Sequence, residues 1–362
     1  MKALIVAGES SGDIYGGGLA AVLRARFPDL QLSGMGGDRM AHAGVDLLYA
    51  SGHVAVVGVF EVFAKLRNLR EAYRRLTRWV DENSPDFAVL IDFPDFNFRL
   101  AKFLKKKRIK IFYFISPQIW AWRKGRIHFL KNHVDLMVSI LPFEKSIYDA
   151  EQVRSVYVGH PLVEIVQREL QNQNSYSRGS RPLIGLMPGS RETEVKRHLP
   201  ILLETAHALR THADALLIRA PSLDPGLYET PPEVQVITEN RYAAMKACDF
   251  LIVASGTSTL EAAILGVPFL IVYRVGSISW LLGKWLVRVP YYGLVNWIAQ
   301  KRVIPELIQG NMRPDLLARE TLFYLSDQQA RERMKSDLAA IVECLSPPGA
   351  LDRAADAIAS LL

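Results

Sequence analysis

Two series of short, uninterrupted aliphatic runs constrain this chain more than any other feature. The first half carries KALIV, FAVLIDF, KIFYFI, DLMVSIL and SVYVG; the second carries RPLIGLMPG, ALLIRA, VQVI, DFLIVAS and PFLIVYR. A strand with one wet face would be polar at every second position. These runs are not, so both of their faces must be covered. Parallel strands flanked by helices meet that requirement, and 362 residues suffice for two such domains with full cores. The stretch QRELQNQNSYSRGSRP, residues 167–182, separates the series; it is polar, aperiodic and ends in Gly-Ser-Arg-Pro. The expected class is α/β: two doubly wound, Rossmann-like domains, residues 1–166 and 183–340, joined by the linker 167–182. A C-terminal helix is expected in 341–362, with no partner that the sequence identifies. Ligands of such sheets bind at the carboxyl ends of the strands, which places the expected site in a cleft between the domains.

Lys and Arg outnumber Asp and Glu by 44 to 37, a formal charge of +7 that favours nucleic acid, an anionic membrane or a phosphorylated substrate. No nucleic-acid-binding motif accompanies the charge, so a basic nucleic-acid module is a rival reading without support. MKALIVAG is too short an apolar run for a signal peptide, and no run of about 18 apolar residues exists to span a bilayer. Cys248 and Cys344 give neither a disulfide framework nor a metal spacing, as expected in a reducing cytoplasm. No H-x-x-x-H and no D-x-D occurs, so the expected chemistry uses no metal and no other cofactor.

Four strand-to-helix junctions carry candidate chemistry. In AGESSGDIYGGG, Glu9 and Asp13 would repel a phosphate, and with Ser10, Ser11 and Gly12 they suit sugar hydroxyls; a helix capped by Ser10 or Ser11 is the structural alternative. In IDFPDFNF, a carboxylate at the end of a buried strand can act as general base. Asp95 is the candidate, because Asp92 lies inside the apolar run and suits a structural role; turn chemistry is the alternative for both. In LMPGSRETEV, Gly189, Ser190 and Arg191 combine free backbone N–H groups with a guanidinium, an anion site; a capping box of Ser190 with Thr193 or Glu194 explains the Ser but not the Arg. In ASGTSTLEAAILGVP, Gly256, Thr257, Ser258 and Thr259 open a helix that can hold a diphosphate, and Glu261 can bind the two hydroxyls of a ribose.

Two further segments suggest a lipid surface. Residues 60–80 form an apolar stripe (Val62, Phe63, Leu66, Leu69, Tyr73, Leu76, Val80) beside an arginine stripe (Arg67, Arg70, Arg74, Arg78). Such a helix lies on an anionic membrane or packs on a core. SWLLGKWLVRVP pairs Trp280 and Trp285 with Lys284 and Arg288, as interfacial anchors do. SPQIWAWRKGR sets Trp120 and Trp122 beside Arg123, Lys124 and Arg126, which suits a ligand that is part apolar and part anionic.

In order along the chain, AGESSGD, IDFPDFN, SPQIWAWRKGR, LPFEKSIYD, YVGHPL, MPGSRETE, SGTSTLEAAILGVP and RVIPELIQ resemble the lipid-A-disaccharide synthase family from about Lys2 to Gln309. The resemblance implies a GT-B glycosyltransferase that inverts without a metal. Its donor would be UDP-2,3-diacylglucosamine, its acceptor 2,3-diacylglucosamine 1-phosphate, and its product a β(1→6)-linked disaccharide 1-phosphate on the route to lipid A. It also implies Asn296 and Gln309 near the donor. On this reading Asp95 is the base, and Arg191 neutralises the departing UDP. Glu261 holds ribose, and Trp120, Trp122 and Arg123 meet the acylated acceptor. Phe63, Leu66, Leu69, Arg67 and Arg70 would meet the anionic inner face of the inner membrane, making the protein cytoplasmic and peripheral. Self-association into a homo-oligomer stays open. The rival enzyme is another GT-B protein acting on UDP-N-acetylglucosamine, a muramyl-lipid transferase or a 2-epimerase.

Overall fold

A computed structural model describes residues 1–51, 61–117, 125–221, 223–276, 280, 290–345 and 348–362, the side chains of 61–65 excepted. The chain divides into two compact units, Met1–Pro161 with Pro347–Leu362, and Leu162–Ser346.

In the first unit, β1 (Lys2–Ala7), β2 (Gln31–Gly36), β3 (Asp46–Ala50), β4 (Phe87–Ile91), β5 (Lys110–Phe114), β6 (Leu136–Ser139) and β7 (Ser155–Tyr157) alternate with α1 (Ser10–Arg26), α2 (Asp38–His42), α3 (Glu61–Asn83), α4 (Pro94–Lys106), α5 (Arg126–His133) and α6 (Glu144–Ala150). The sheet order is β3-β2-β1-β4-β5-β6-β7, and every pairing is parallel. The aliphatic runs became its central strands because both faces are covered: all of Ala3 to Ala7 and Phe87 to Ile91 are fully buried.

The second unit opens with α7 (Leu162–Gln171). It continues through β8 (Leu183–Met187), α8 (Glu192–Leu209), β9 (Asp214–Ile218), β10 (Val234–Ile237), α9 (Arg241–Ala247), β11 (Phe250–Ala254), α10 (Thr257–Ile264) and β12 (Phe269–Tyr273). Then come α11 (Leu294–Ala299), β13 (Glu306–Ile308), α12 (Pro314–Ser326) and α13 (Gln328–Leu345). Its parallel sheet runs β10-β9-β8-β11-β12-β13, so β8 and β11 flank the point where the order reverses, as β1 and β4 do in the first unit.

Two boundaries differ from the sequence reading. By contacts the units part at 161/162 rather than 166/167, because Val163, Ile165 and Val166 of α7 are buried, and α7 packs on α10. The C-terminal helix α14 (Ala350–Ala359) returns to the first unit. It ion-pairs Asp356 with Arg26 of α1, and its Arg353 guanidinium donates to Val158 O at 2.7 Å.

α3 also departs in part from the expected surface helix. Ala72, Leu76 and Val80 are core, and Leu69 and Tyr73 pack against that core. The stripe is therefore structural in its C-terminal part. Leu66 is 48% exposed, and Arg67, Arg70, Arg74 and Arg78 are exposed. The Phe63 side chain, Lys284, Trp285 and Arg288 lie outside the described residues, and Trp280 packs on Tyr292 at 5.8 Å between ring centroids.

Candidate active site

Ala7 and Ile91 are register partners at the ends of β1 and β4, so Gly8–Glu9 and Asp92–Phe93 leave the sheet side by side. The Phe93 ring packs where Gly8 has no side chain; a Cβ there would lie 2.3 Å from it. Glu9 is the N-cap of α1 and its carbonyl accepts the Asp13 N–H at 3.0 Å, so neither Ser10 nor Ser11 caps the helix. Glu9 and Ser10 are exposed, Ser11 half-buried and Gly12 buried.

Asp13, expected on the acceptor side, does something else. It is buried, and its carboxylate accepts from the backbone N–H groups of Gly37 at 2.7 Å and of Arg39 and Met40 at 3.1 Å each. It therefore satisfies the orphan donors at the start of α2. Asp13→Ala should lower stability by about 1.5–3 kcal/mol, the scale for hydrogen bonds to a charged group, measured as a shift in the urea midpoint at unchanged slope.

The two aspartates of IDFPDFNF stand in very different environments. Asp95 begins α4 with a side chain 77% exposed, and its carboxylate is ion-paired with the Arg126 guanidinium. Asp92 and Phe93 both adopt left-handed backbone, φ 43° and 47°, which turns the chain sharply out of β4. The turn is held from behind: Asn97 Nδ2 donates to Asp92 O at 2.8 Å, and the Tyr113 hydroxyl donates to the same oxygen at 2.6 Å. Burial, with the Glu9 charge second, pushes the Asp92 carboxyl up to about 7, against a lowering by the Phe93 N–H. Backbone strain and a raised carboxyl at a sheet's switch point mark a functional position. Trp120, Trp122, Arg123 and Lys124 lie outside the described residues.

In the second unit, β8 leads through Pro188 and Gly189 into α8. Gly189 has φ +126°, and a Cβ on it would lie 2.5 Å from Glu194 Oε2, so only glycine fits. The expected free N–H groups are not free. Glu194 Oε2 accepts from Ser190 N at 3.0 Å and Arg191 N at 3.3 Å, and Oε1 accepts from Arg191 Nη1 at 3.0 Å. The capping box belongs to Arg191 and Glu194, and the Arg191 side chain is 56% exposed. Buried His198 braces this turn, Nδ1 donating to Pro188 O at 2.6 Å while Nε2 accepts the Arg274 N–H at 2.9 Å.

β11 ends at Ala254, and Gly256 is the N-cap of α10. Thr259 is turned inward, its hydroxyl on Gly256 O at 2.8 Å, leaving Thr257 and Ser258 at the helix opening. Glu261 is buried. Its carboxylate takes an ion pair from Arg241 and a hydrogen bond from the Tyr242 hydroxyl at 2.9 Å. Asn296, expected at the donor, is fully buried and occupied. Its Nδ2 donates to Ile304 O and Glu306 Oε1, and its Oδ1 accepts from Val303 N and Ile304 N, all at 2.9 Å. It shapes the loop rather than offering a free amide. Gln309 Oε1 accepts the Val275 N–H at 3.1 Å.

A cavity of about 60 Å³ lies at the carboxyl ends of β8, β9 and β11. Met187, Gly189, Ser190, Ile218, Ala254 and Ser258 line it, together with Arg219, Ala220 and Arg241. This is where open α/β sheets bind nucleotides. Arg219, Arg241 and Tyr242 escape the sequence reading because none belongs to a motif; only Arg219, directly after the ALLI run, had a local clue. Among the described residues, no three His, Cys, Asp or Glu side chains gather as a metal site.

Known proteins resemble this chain in sequence and in fold. The family model described as lipid-A-disaccharide synthetase matches residues 3–351. The lipid-A-disaccharide synthase of Syntrophus aciditrophicus is 40% identical, over 97% of this chain and 95% of that one. The solved calicheamicin glycosyltransferase superposes with a TM-score of 0.65 at 16% identity, covering 99% of this chain and 97% of the other. A UDP-GlcNAc 2-epimerase from Neisseria meningitidis gives 0.65 at 12%, covering 95% and 99%. At such identities the two structures establish the two-domain fold alone, which rival enzymes share, whereas the sequence matches extend over nearly the whole chain. The chain belongs to the lipid-A-disaccharide synthetase family.

Proposed function

We propose that this chain joins UDP-2,3-diacylglucosamine to 2,3-diacylglucosamine 1-phosphate through a β(1→6) bond, releasing UDP on the route to lipid A. Family membership over residues 3–351 is the observation that carries the reading. The cavity with two arginines at the β8/β11 switch point supports its donor half.

The acceptor O6 attacks the anomeric carbon of the donor, the bond from that carbon to the diphosphate oxygen breaks, and the electron pair leaves with UDP. Attack opposite the leaving group inverts the centre. Asp92, rather than Asp95, takes the O6 proton. A base works best with a pKa near the working pH, and the Asp92 carboxyl is pushed up to about 7. Asp95 and Arg126 instead fix the first turn of α4. Glu9, Ser10, Ser11 and Gly12 lie on the acceptor side, with Trp120, Trp122 and Arg123 meeting acyl chain and 1-phosphate. Glu261 accepts from the ribose hydroxyls. It can do so while holding Arg241 and Tyr242, because two carboxylate oxygens offer about four acceptor sites. Thr257, Ser258, Ser190 and Arg191 face the diphosphate, and Gln309 the donor sugar.

Both substrates carry acyl chains, so the protein works at the anionic inner face of the inner membrane. The outer part of the amphipathic helix, Leu66 with Arg67 and Arg70, is the proposed contact, with Phe63 beside it. Leu66→Ser with Arg67→Glu and Arg70→Glu should release the protein from anionic liposomes at unchanged stability. Leu69→Ser should instead lower stability, since Leu69 packs on the core. Retained liposome binding by the triple variant would refute the contact.

The assay is UDP release by the purified protein. UDP should appear only when both substrates are present; release from the donor alone, or turnover of UDP-N-acetylglucosamine without an acceptor, would favour a hydrolase or an epimerase.

A further inference from the structure

We propose that Arg219 and Arg241 form a two-guanidinium grip on one phosphoryl group of the donor's diphosphate. The inference rests on the donor reading above and adds two residues to it. Arg219 follows β9 and Arg241 opens α9, and both line the cavity at the β8/β11 switch point.

Each guanidinium is held on one side and keeps one N–H unsatisfied. Arg219 Nε donates to Thr238 Oγ1 at 3.1 Å, and Arg219 Nη1 is buried with no hydrogen-bond partner among the described residues. Arg241 is held by Glu261 and by the Tyr242 ring, 4.7 Å from its centroid, and its buried Nε likewise has no partner among them. Buried polar groups are nearly always satisfied, so two guanidiniums that line one cavity and each keep an unsatisfied N–H point to an acceptor missing beside them.

The chemistry of that acceptor follows from charge. No carboxylate lines the cavity; Glu261 pairs with Arg241 from outside that lining, and Arg219 has no carboxylate partner among the described residues, so the lining keeps a net positive charge. A neutral base edge would leave that charge unbalanced, whereas a phosphoryl group offers acceptors in several directions and matches guanidinium geometry. Ser190 and Ser258 stand on the same lining to complete the contact. Arg191, exposed and engaged by Glu194, then lies outside the grip.

The test is calorimetric titration of wild type and Arg219→Gln with UDP and with uridine. Arg219 is the cleaner choice, because removing Arg241 strands the buried Glu261; Arg241→Gln is therefore made together with Glu261→Gln. The expected result for Arg219→Gln is a loss of UDP affinity of roughly ten- to a hundredfold, with uridine within twofold of wild type. The double variant should likewise lose more UDP than uridine affinity. Unchanged UDP affinity in Arg219→Gln would overturn the grip, and an equal loss for uridine would overturn it by assigning Arg219 to the nucleoside. Wild type that binds neither ligand would instead bring down the donor reading itself.

Discussion

Asp92→Asn should cut turnover on the order of a hundredfold or more with UDP affinity unchanged, whereas Asp95→Asn should cost less than about tenfold. The amide keeps the shape of Asp92 and removes only its basicity. Asp95→Asn weakens an exposed ion pair with Arg126 and leaves the base in place. The pH dependence carries a second signature. The reaction needs Asp92 as carboxylate, so kcat/KM for wild type should rise with pH through about 7 and then level. Glu9→Gln removes a charge that raises this carboxyl, and should move the rise to lower pH. Stability has the opposite sign. A carboxyl raised in the fold favours the neutral form, so Asp92 costs nothing below the unfolded value of 3.8, and its cost grows until the pH passes about 7. Asp92→Asn should therefore stabilise the protein above pH 7 and do nothing for it below pH 3.8. Inactivity of Asp95→Asn beside an active Asp92→Asn would return the base to Asp95.

The second large effect belongs to Glu261. Its carboxylate is the buried partner of Arg241, and removing one member of a buried pair strands the other charge. Glu261→Ala should lower stability by about 3–5 kcal/mol in denaturant titration. Glu261→Gln keeps the shape and can still accept from Tyr242, which separates folding from recognition. If the carboxylate holds the ribose, wild type should prefer UDP over 2′-deoxy-UDP, and the Gln variant should lose most of that preference. An equal loss of affinity for the two nucleotides would leave Glu261 with a structural role alone.

What the sequence disclosed, and what it hid, follows from how local each cause is. β1, β4, β8, β11 and β12 are legible because burial on both faces demands continuous aliphatic residues. β2, QLSGMG, is not: Gly34 packs so closely on β1 that a Cβ would lie 1.7 Å from Ile5 O, and a strand built on such contacts reads as a turn. β13 is a three-residue edge with too few positions to show a pattern. The glycines and hydroxyls of the strand-to-helix junctions were visible, since their spacing is local. The left-handed turn at Asp92 and the ion pair of Asp95 were not visible. They depend on Asn97 and Tyr113 holding that turn, and on Arg126 reaching Asp95 from another helix. Asn296 and Asp13 show the same limit. Each looked available for a ligand, and each is occupied by backbone groups that only the fold brings near.

The central claim is an inverting transfer between two acylated glucosamines. Its most direct test is the structure of the product formed from α-configured UDP-2,3-diacylglucosamine and 2,3-diacylglucosamine 1-phosphate, read by proton NMR. The expected product is a disaccharide 1-phosphate whose new anomeric proton shows the large coupling of a β bond, with the glycosylation shift at carbon 6 of the acceptor. An α bond, attachment at another hydroxyl, or free diacylglucosamine in place of the disaccharide would contradict it.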